Sequence, residues 1–166
     1  MQEDFCALAG RSADQKYQGS IELCVRLLRA YVEPRELPDQ VGRLFRQVLF
    51  SWWVGNGDLH LKNLSLTRGP EGLVRLTPAY DLVSTELVIE GDDFALTLGG
   101  KRSRFKRADW LSFARYAGVE GAEVELARLC EGEAAARSII DRSFLPADMK
   151  ERLAALLAQR SGQLRV

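Results

Sequence analysis

The stretch from Val41 to Asn63 constrains this chain more than any other. Val41, Leu44, Phe45, Val48, Leu49, Trp52 and Trp53 recur at helical spacing. The last turns of that helix are apolar nearly all round, which requires burial on several sides rather than one. Gly55-Asn56-Gly57 then stops it. The residues that follow include Asp58, His60, Lys62 and Asn63. A polar loop that leaves a core helix directly must find partners, because an unsatisfied buried polar group costs about 1–3 kcal/mol. Such groups, gathered on a loop held by a rigid scaffold, suggest a site.

Around this feature most segments read as helices. Gln2 to Ala9 predicts one short helix. Ser20 is a good N-cap for another, with Ile21, Cys24, Val25 and Leu28 on one face. Leu64 and Leu66, then Leu73-Val74-Arg75-Leu76, predict two short strands joined by a turn over Arg68 to Gly72. Gly91 to Thr97 suggests one more extended piece. From Ala108 the helical pattern returns, with Trp110, Leu111, Phe113 and Ala114 leading to a stop at Gly118. Val124 to Arg142 reads as helix and carries Ala127, Cys130, Ala134 and Ile139. A last helix begins near Pro146, with Met149, Leu153, Leu156 and Leu157 inward. The expected fold is mainly α with a small β-hairpin. Its 166 residues suffice for one self-supporting core, so residues 1–166 are read as a single domain.

Composition narrows the class. Lys and Arg number 23, as do Asp and Glu, so no global charge draws the chain to nucleic acid or to an anionic membrane. The densest apolar run, Val48 to Val54, is far too short to span a bilayer, and the acidic opening residues do not resemble a signal peptide. The three cysteines, Cys6, Cys24 and Cys130, are widely spaced, without any C-x-x-C pair. Buried free thiols and a cytoplasmic location, with no membrane partner, are the expectation. The neutral total conceals one basic run, Lys101-Arg102-Ser103-Arg104-Phe105-Lys106-Arg107. It reads as a solvated loop before a helix, with a phosphate, nucleic-acid or acidic-partner patch as the alternative.

The chemistry sits in Gly55 to Asn63 and in Pro78-Ala79-Tyr80-Asp81. Asp58, Asn63 and Asp81 offer oxygen donors, which suits magnesium rather than zinc. A carboxylate, then an Asn five residues on, then a second carboxylate after a hairpin is the lower half of a phosphoryl-transfer site. The spacing matches H-R-D-x-x-x-x-N of protein kinases, with Asn56-Gly57 standing where His-Arg would be. Asp81-Leu82-Val83 replaces the Asp-Phe-Gly triplet.

At these residues a family resemblance emerges. Gly-Asn-Gly-Asp-Leu-His-Leu-Lys-Asn-Leu-Ser-Leu over 55–66, then Arg-Leu-Thr-Pro-Ala-Tyr-Asp-Leu-Val-Ser over 75–84, resembles the HipA family of bacterial serine/threonine kinases. Gln2 to Leu8 and Lys16-Tyr17 resemble the stretch upstream of that motif, and the likeness weakens after Gly100. The resemblance implies the C-terminal, helical lobe of a protein-kinase-like fold. It implies Asp58 as catalytic base, Asn63 and Asp81 as Mg2+ ligands, and ATP as cofactor. Lys62 and His60 fall beside the nucleotide, Lys62 as a phosphate contact or a structural cation and His60 as a brace of the loop. Tyr80 packs beside the metal loop, and Trp52 and Trp53 belong to the core.

The resemblance further implies the toxin component of a toxin–antitoxin pair. Its substrate would be a protein, an aminoacyl-tRNA synthetase, and its partner a DNA-binding antitoxin. The chain has no G-x-G-x-x-G, no Walker A sequence and no strand-rich segment before residue 55 to host an ATP-binding lysine. It is therefore expected to be the C-terminal lobe alone, working with a separate N-terminal lobe. The alternative is a catalytically incomplete lobe that serves as a binding module for an antitoxin or for that N-lobe.

Overall fold

The long helix predicted before Gly55 forms the spine of the molecule. The computed structural model describes residues 2–89 and 91–165. The spine is α3 (Leu37–Trp53), and all seven apolar residues named for it are buried. Before it come strand β1 (Gln2–Asp4), the short helix α1 (Phe5–Leu8) and α2 (Ile21–Tyr31). After it come β2 (Ser65–Arg68), β3 (Val74–Leu76), α4 (Arg107–Ala117), α5 (Ala122–Glu131), α6 (Glu133–Asp141) and α7 (Ala147–Arg165). The Ser20 hydroxyl caps α2 by accepting the Leu23 N–H at 3.1 Å. Ile21, Cys24, Val25 and Leu28 all face the core. Gly118 ends α4 in the left-handed region, at φ 80°.

The predicted hairpin is present, and a third strand joins it. The sheet is antiparallel with order β1-β2-β3, Leu66 lying opposite Glu3 on one side and Leu76 on the other. The sequence pattern assigned Gln2–Asp4 to a helix. They form β1 instead, because β2 needs a partner on its open edge. The helix starts only at Phe5, with the Asp4 carboxylate accepting the Ala7 N–H at 2.9 Å.

Two further expectations are corrected. Val124 to Arg142 is not one helix. The chain breaks at Gly132, which ends α5 and opens α6. In α5 Leu126 and Cys130 point inward and Ala127 faces solvent; after the break Ile140 of α6 points inward while Ala134 and Ile139 face solvent. In α7 Leu157 is buried, and Met149, Leu153 and Leu156 are half-buried. Gly91–Thr97 forms no strand of the sheet. It makes isolated pairings, Thr97 with Ser20 and Phe94 N–H with the Arg102 carbonyl at 2.8 Å.

The core clusters around α3. Trp52, Phe105 and Trp110 lie within 5.3–6.4 Å of one another, centroid to centroid. Trp53 donates its indole N–H to Ser161 Oγ on α7 at 3.0 Å. Cys6, Cys24 and Cys130 are free and buried, as expected. Burial pushes the Cys24 thiol far above its ordinary range. No described helix is long and apolar enough to cross a membrane.

Candidate active site

The end of α3 delivers the polar loop to one place. Gly55 turns the chain in the left-handed region at φ 78°, and a Cβ there would stand 2.7 Å from Leu156 of α7. Arg160, also on α7, donates to the Trp52 carbonyl and pairs with Glu86, its guanidinium 5.3 Å from the Trp52 ring. One helix thus fixes both the end of α3 and the segment after Asp81.

Asn56 is the hub of the loop. It is 1% exposed. Its Oδ1 accepts the Asp58 N–H at 3.1 Å, and its Nδ2 donates to the Asp81 carbonyl at 3.3 Å. One amide therefore ties the first carboxylate residue to the second. Asp81 sits in the left-handed region at φ 55°, where a non-glycine residue needs support. That support comes from Asn56 behind and from Asn63, whose Nδ2 donates to Asp81 Oδ2.

Asn63 is 2% exposed, and its Oδ1 is buried without a hydrogen-bond partner. The Asn63–Asp81 pair thus presents oxygen atoms alone. Such a set suits a hard divalent cation, and magnesium in particular takes one or two protein oxygens plus water and phosphate. Among the described residues, no cluster of three or more His, Cys, Asp or Glu side chains could hold a metal. A site built on Asn63 and Asp81 does not require one.

Asp58 is half-buried, and its Oδ1 accepts the Tyr17 hydroxyl at 2.8 Å. That hydrogen bond, with some burial, raises the phenol above its ordinary value. Gly57 beside it donates its N–H to Thr85 Oγ1 at 2.8 Å, and Thr85 in turn donates to Asp92.

His60 is buried beneath the loop, its ring edge-on to Tyr17 at 5.2 Å. Burial and the nearby Lys16 hold it below its ordinary value. Its Nδ1 has no partner. Lys62 turns away to β1, where its Nζ meets Asp4 Oδ2 at 2.7 Å. The hydrogen bond to Asp4 raises the Lys62 ammonium above its usual range. Burial pushes the Asp4 carboxyl up, yet the bonds from Lys62 and the Ala7 N–H outweigh it and hold the group low. Tyr80 is half-buried; its hydroxyl donates to the Lys62 carbonyl at 2.7 Å and meets Ser65 Oγ at 2.6 Å.

Of the residues singled out in the sequence, Asp58 and Asp81 are therefore joined through Asn56, and Asn63 is joined directly to Asp81. His60 lies below them and Lys62 points to β1. The basic run does not form one face. Lys101 pairs with Asp109 at 2.7 Å, Arg102 donates to the Ala95 carbonyl, Phe105 is core, and Arg107 donates to the Leu164 carbonyl at 3.2 Å.

Sequence reading missed the roles of Asn56, Tyr17, Thr85 and Asp92. For Asn56 a cue existed, an amide between two glycines at the exit of a core helix. Tyr17, 41 residues from its partner, is marked in the sequence only by the family likeness of Lys16-Tyr17, which assigns it no role.

Comparison with known proteins agrees with this architecture. The family model for the HipA-like C-terminal domain matches residues 1–146, leaving all of α7 beyond it. A Sinorhizobium fredii (strain NBRC 101917 / NGR234) protein named "Putative kinase Y4dM" is 39% identical over 94 residues, which is 56% of this chain and 22% of that protein. A second protein of that strain, "Putative kinase Y4mE", is 34% identical over 125 residues, 71% of this chain and 29% of that one. The chain thus spans between a fifth and a third of the length of these curated relatives. Among solved structures, the Shewanella oneidensis MR-1 toxin–antitoxin complex of HipA, HipB and operator DNA contains a chain of like fold. The TM-score is 0.74 at 20% identity, covering 96% of this chain and 42% of that one. Family model and fold agree over nearly the whole chain, which belongs to the HipA-like C-terminal domain family.

Proposed function

We propose that this chain is the C-terminal lobe of a HipA-like serine/threonine kinase, residues 1–166 forming one lobe of a cleft whose other wall is an N-terminal lobe. Asp58 is the catalytic base. Asn63 Oδ1 and an Asp81 carboxylate oxygen would hold Mg2+, which when bound neutralises charge on the ATP phosphates. In the transfer, the acceptor serine gives its proton to Asp58, its oxygen bonds to the γ-phosphorus, and the bond to the β-phosphate oxygen breaks to release ADP. Asn56 keeps base and metal residues in fixed relation, so the catalytic contribution is positioning. His60 braces the loop from below, and Lys62 ties it to β1. By family likeness the setting is a cytoplasmic toxin, with a protein substrate such as an aminoacyl-tRNA synthetase and a DNA-binding antitoxin as partner.

The observation that carries this reading is the Asn56 bridge between Asp58 and Asp81, together with the Asn63–Asp81 hydrogen bond. Local turn-making explains any one of these residues; it does not explain their convergence from separate segments. The test titrates Mg-ATP calorimetrically into the chain, with and without an N-terminal lobe supplied as a separate polypeptide, and assays transfer to a serine peptide. Binding that is lost in Asp81→Ala, and transfer that is lost in Asp58→Asn with binding kept, is the expected pattern. Neither binding nor transfer in any combination overturns the kinase reading.

One observation favours a second reading, a binding module. Leu82, Val83, Val88 and Ile89 are exposed just after Asp81, Val88 at 74%. An apolar rim beside a polar site marks a docking surface, and loss of antitoxin or N-lobe binding in Val88→Asp is the outcome this reading requires.

A further inference from the structure

Tyr17 stands far from the motif in sequence and against its first carboxylate in space. Its hydroxyl donates to Asp58 Oδ1 at 2.8 Å, while Oδ2 accepts no hydrogen bond from the described residues. The segment that carries it is anchored on both sides. The Lys16 carbonyl accepts the Leu61 N–H at 3.1 Å, and the Tyr17 carbonyl accepts from Arg102 at 3.5 Å. The ring is further held edge-on to His60 at 5.2 Å, with Lys16 Nζ 4.9 Å from its centre. Tyr17 is 42% exposed, and these contacts with backbone and ring hold its hydroxyl against Asp58.

A free carboxylate rotates about its last bond and presents either oxygen. A base must present one particular oxygen to the proton that it takes, within hydrogen-bond reach. We propose that Tyr17 is a positioning residue for the transfer reaction: by occupying Asp58 Oδ1 it turns Oδ2 toward the acceptor hydroxyl. The proposal rests on the kinase reading of Asp58. In the step, the acceptor proton goes to Oδ2 while Tyr17 keeps its own, and the γ-phosphoryl group moves from ATP to the acceptor oxygen as its bond to the β-phosphate oxygen breaks and ADP leaves. The phenol O–H also stabilises the charged carboxylate in the ground state, so its net effect on rate comes from orientation.

The test compares the full chain with Tyr17→Phe, which keeps the ring and its contact with His60 but removes the hydroxyl. The variant is expected to bind Mg-ATP as the native chain does, to keep its KM for ATP, and to lose about tenfold in kcat, the scale of one hydrogen bond to a charged group. A second measurement needs no activity. The Tyr17 phenol, followed by its assigned ring-carbon resonance, titrates above the ordinary tyrosine value in the native chain and falls back in Asp58→Asn. Native kcat in Tyr17→Phe, or a phenol titration unchanged by Asp58→Asn, overturns the Tyr17 role and leaves the kinase reading standing. A native chain that, even with the N-terminal lobe supplied, neither binds Mg-ATP nor transfers phosphate overturns both, and the titration then reports the contact as purely structural.

Discussion

Replacing Gly57 by alanine tests how the loop before Asp58 is held. Gly57 is not among the positive-φ glycines, so the backbone tolerates alanine. Space does not: a Cβ would overlap the Asp92 carboxylate. The carboxylate must swing away. In doing so it leaves Thr85, whose hydroxyl donates to Asp92 while accepting the Gly57 N–H. One hydrogen bond to a charged acceptor is worth about 1.5–3 kcal/mol. Thr85 retains a fallback acceptor in the Gly55 carbonyl at 3.3 Å, which places the cost in the lower part of that range. The expected loss is about 1.5–2 kcal/mol, read as a Tm lower by about 3–8 °C for a domain of this size. Asp92→Ala alone should cost a similar amount. In the double variant the alanine Cβ finds empty space, so the pair costs no more than Asp92→Ala by itself. Chemical denaturation of the native chain and the three variants closes the cycle. Gly57→Ala within about 0.5 kcal/mol of native, the size of an ordinary surface effect, or costs that simply add, would refute the steric argument.

Three other outcomes follow from the same geometry. Ser161→Ala leaves the buried Trp53 indole N–H without its acceptor and should cost about 1–3 kcal/mol in urea unfolding. His60 is the chain's one histidine and burial keeps it neutral in the fold, so below its ordinary value of 6.5 the unfolded state takes the proton more readily. Stability should therefore fall as pH drops from that value toward the lower folded-state one and then level off, and the fall should be absent in His60→Gln. Val88→Asp touches no core contact and should leave the unfolding midpoint within about 0.5 kcal/mol of native, whatever it does to partner binding.

The helices that were legible from sequence are those whose apolar residues keep one phase from cap to cap. In α2 the Ser20 cap and four buried side chains agree. In α3 the seven apolar residues at helical spacing from Val41 to Trp53 are all buried, and Phe50, on the outer side, is exposed. The hairpin was legible because Gly69 and Gly72 punctuate it. The 124–142 region was misread because Gly132 breaks the helix without interrupting the apolar pattern. Residues 2–4 have no strand signal of their own; they are extended because Ser65, Leu66 and Thr67 lie opposite them.

The candidate site divides along the same line. Asp58, Asn63 and Asp81 were legible because their chemistry is carried by residue type and short spacing, both written locally. Their mutual arrangement is not local. Asn56 reaches Asp81 across 25 positions, Tyr17 reaches Asp58 across 41, and Arg160 on α7 reaches the Trp52 carbonyl across 108. The sequence by itself determined a core helix that ends in glycine, a polar loop, a hairpin and the residue types fit for phosphoryl chemistry. Only the tertiary structure decided that Lys62 is bound to β1, that His60 lies underneath, and that a distant phenol holds one oxygen of Asp58. Side-chain direction depends on packing partners brought together from far along the chain, and no periodicity in a local window encodes those.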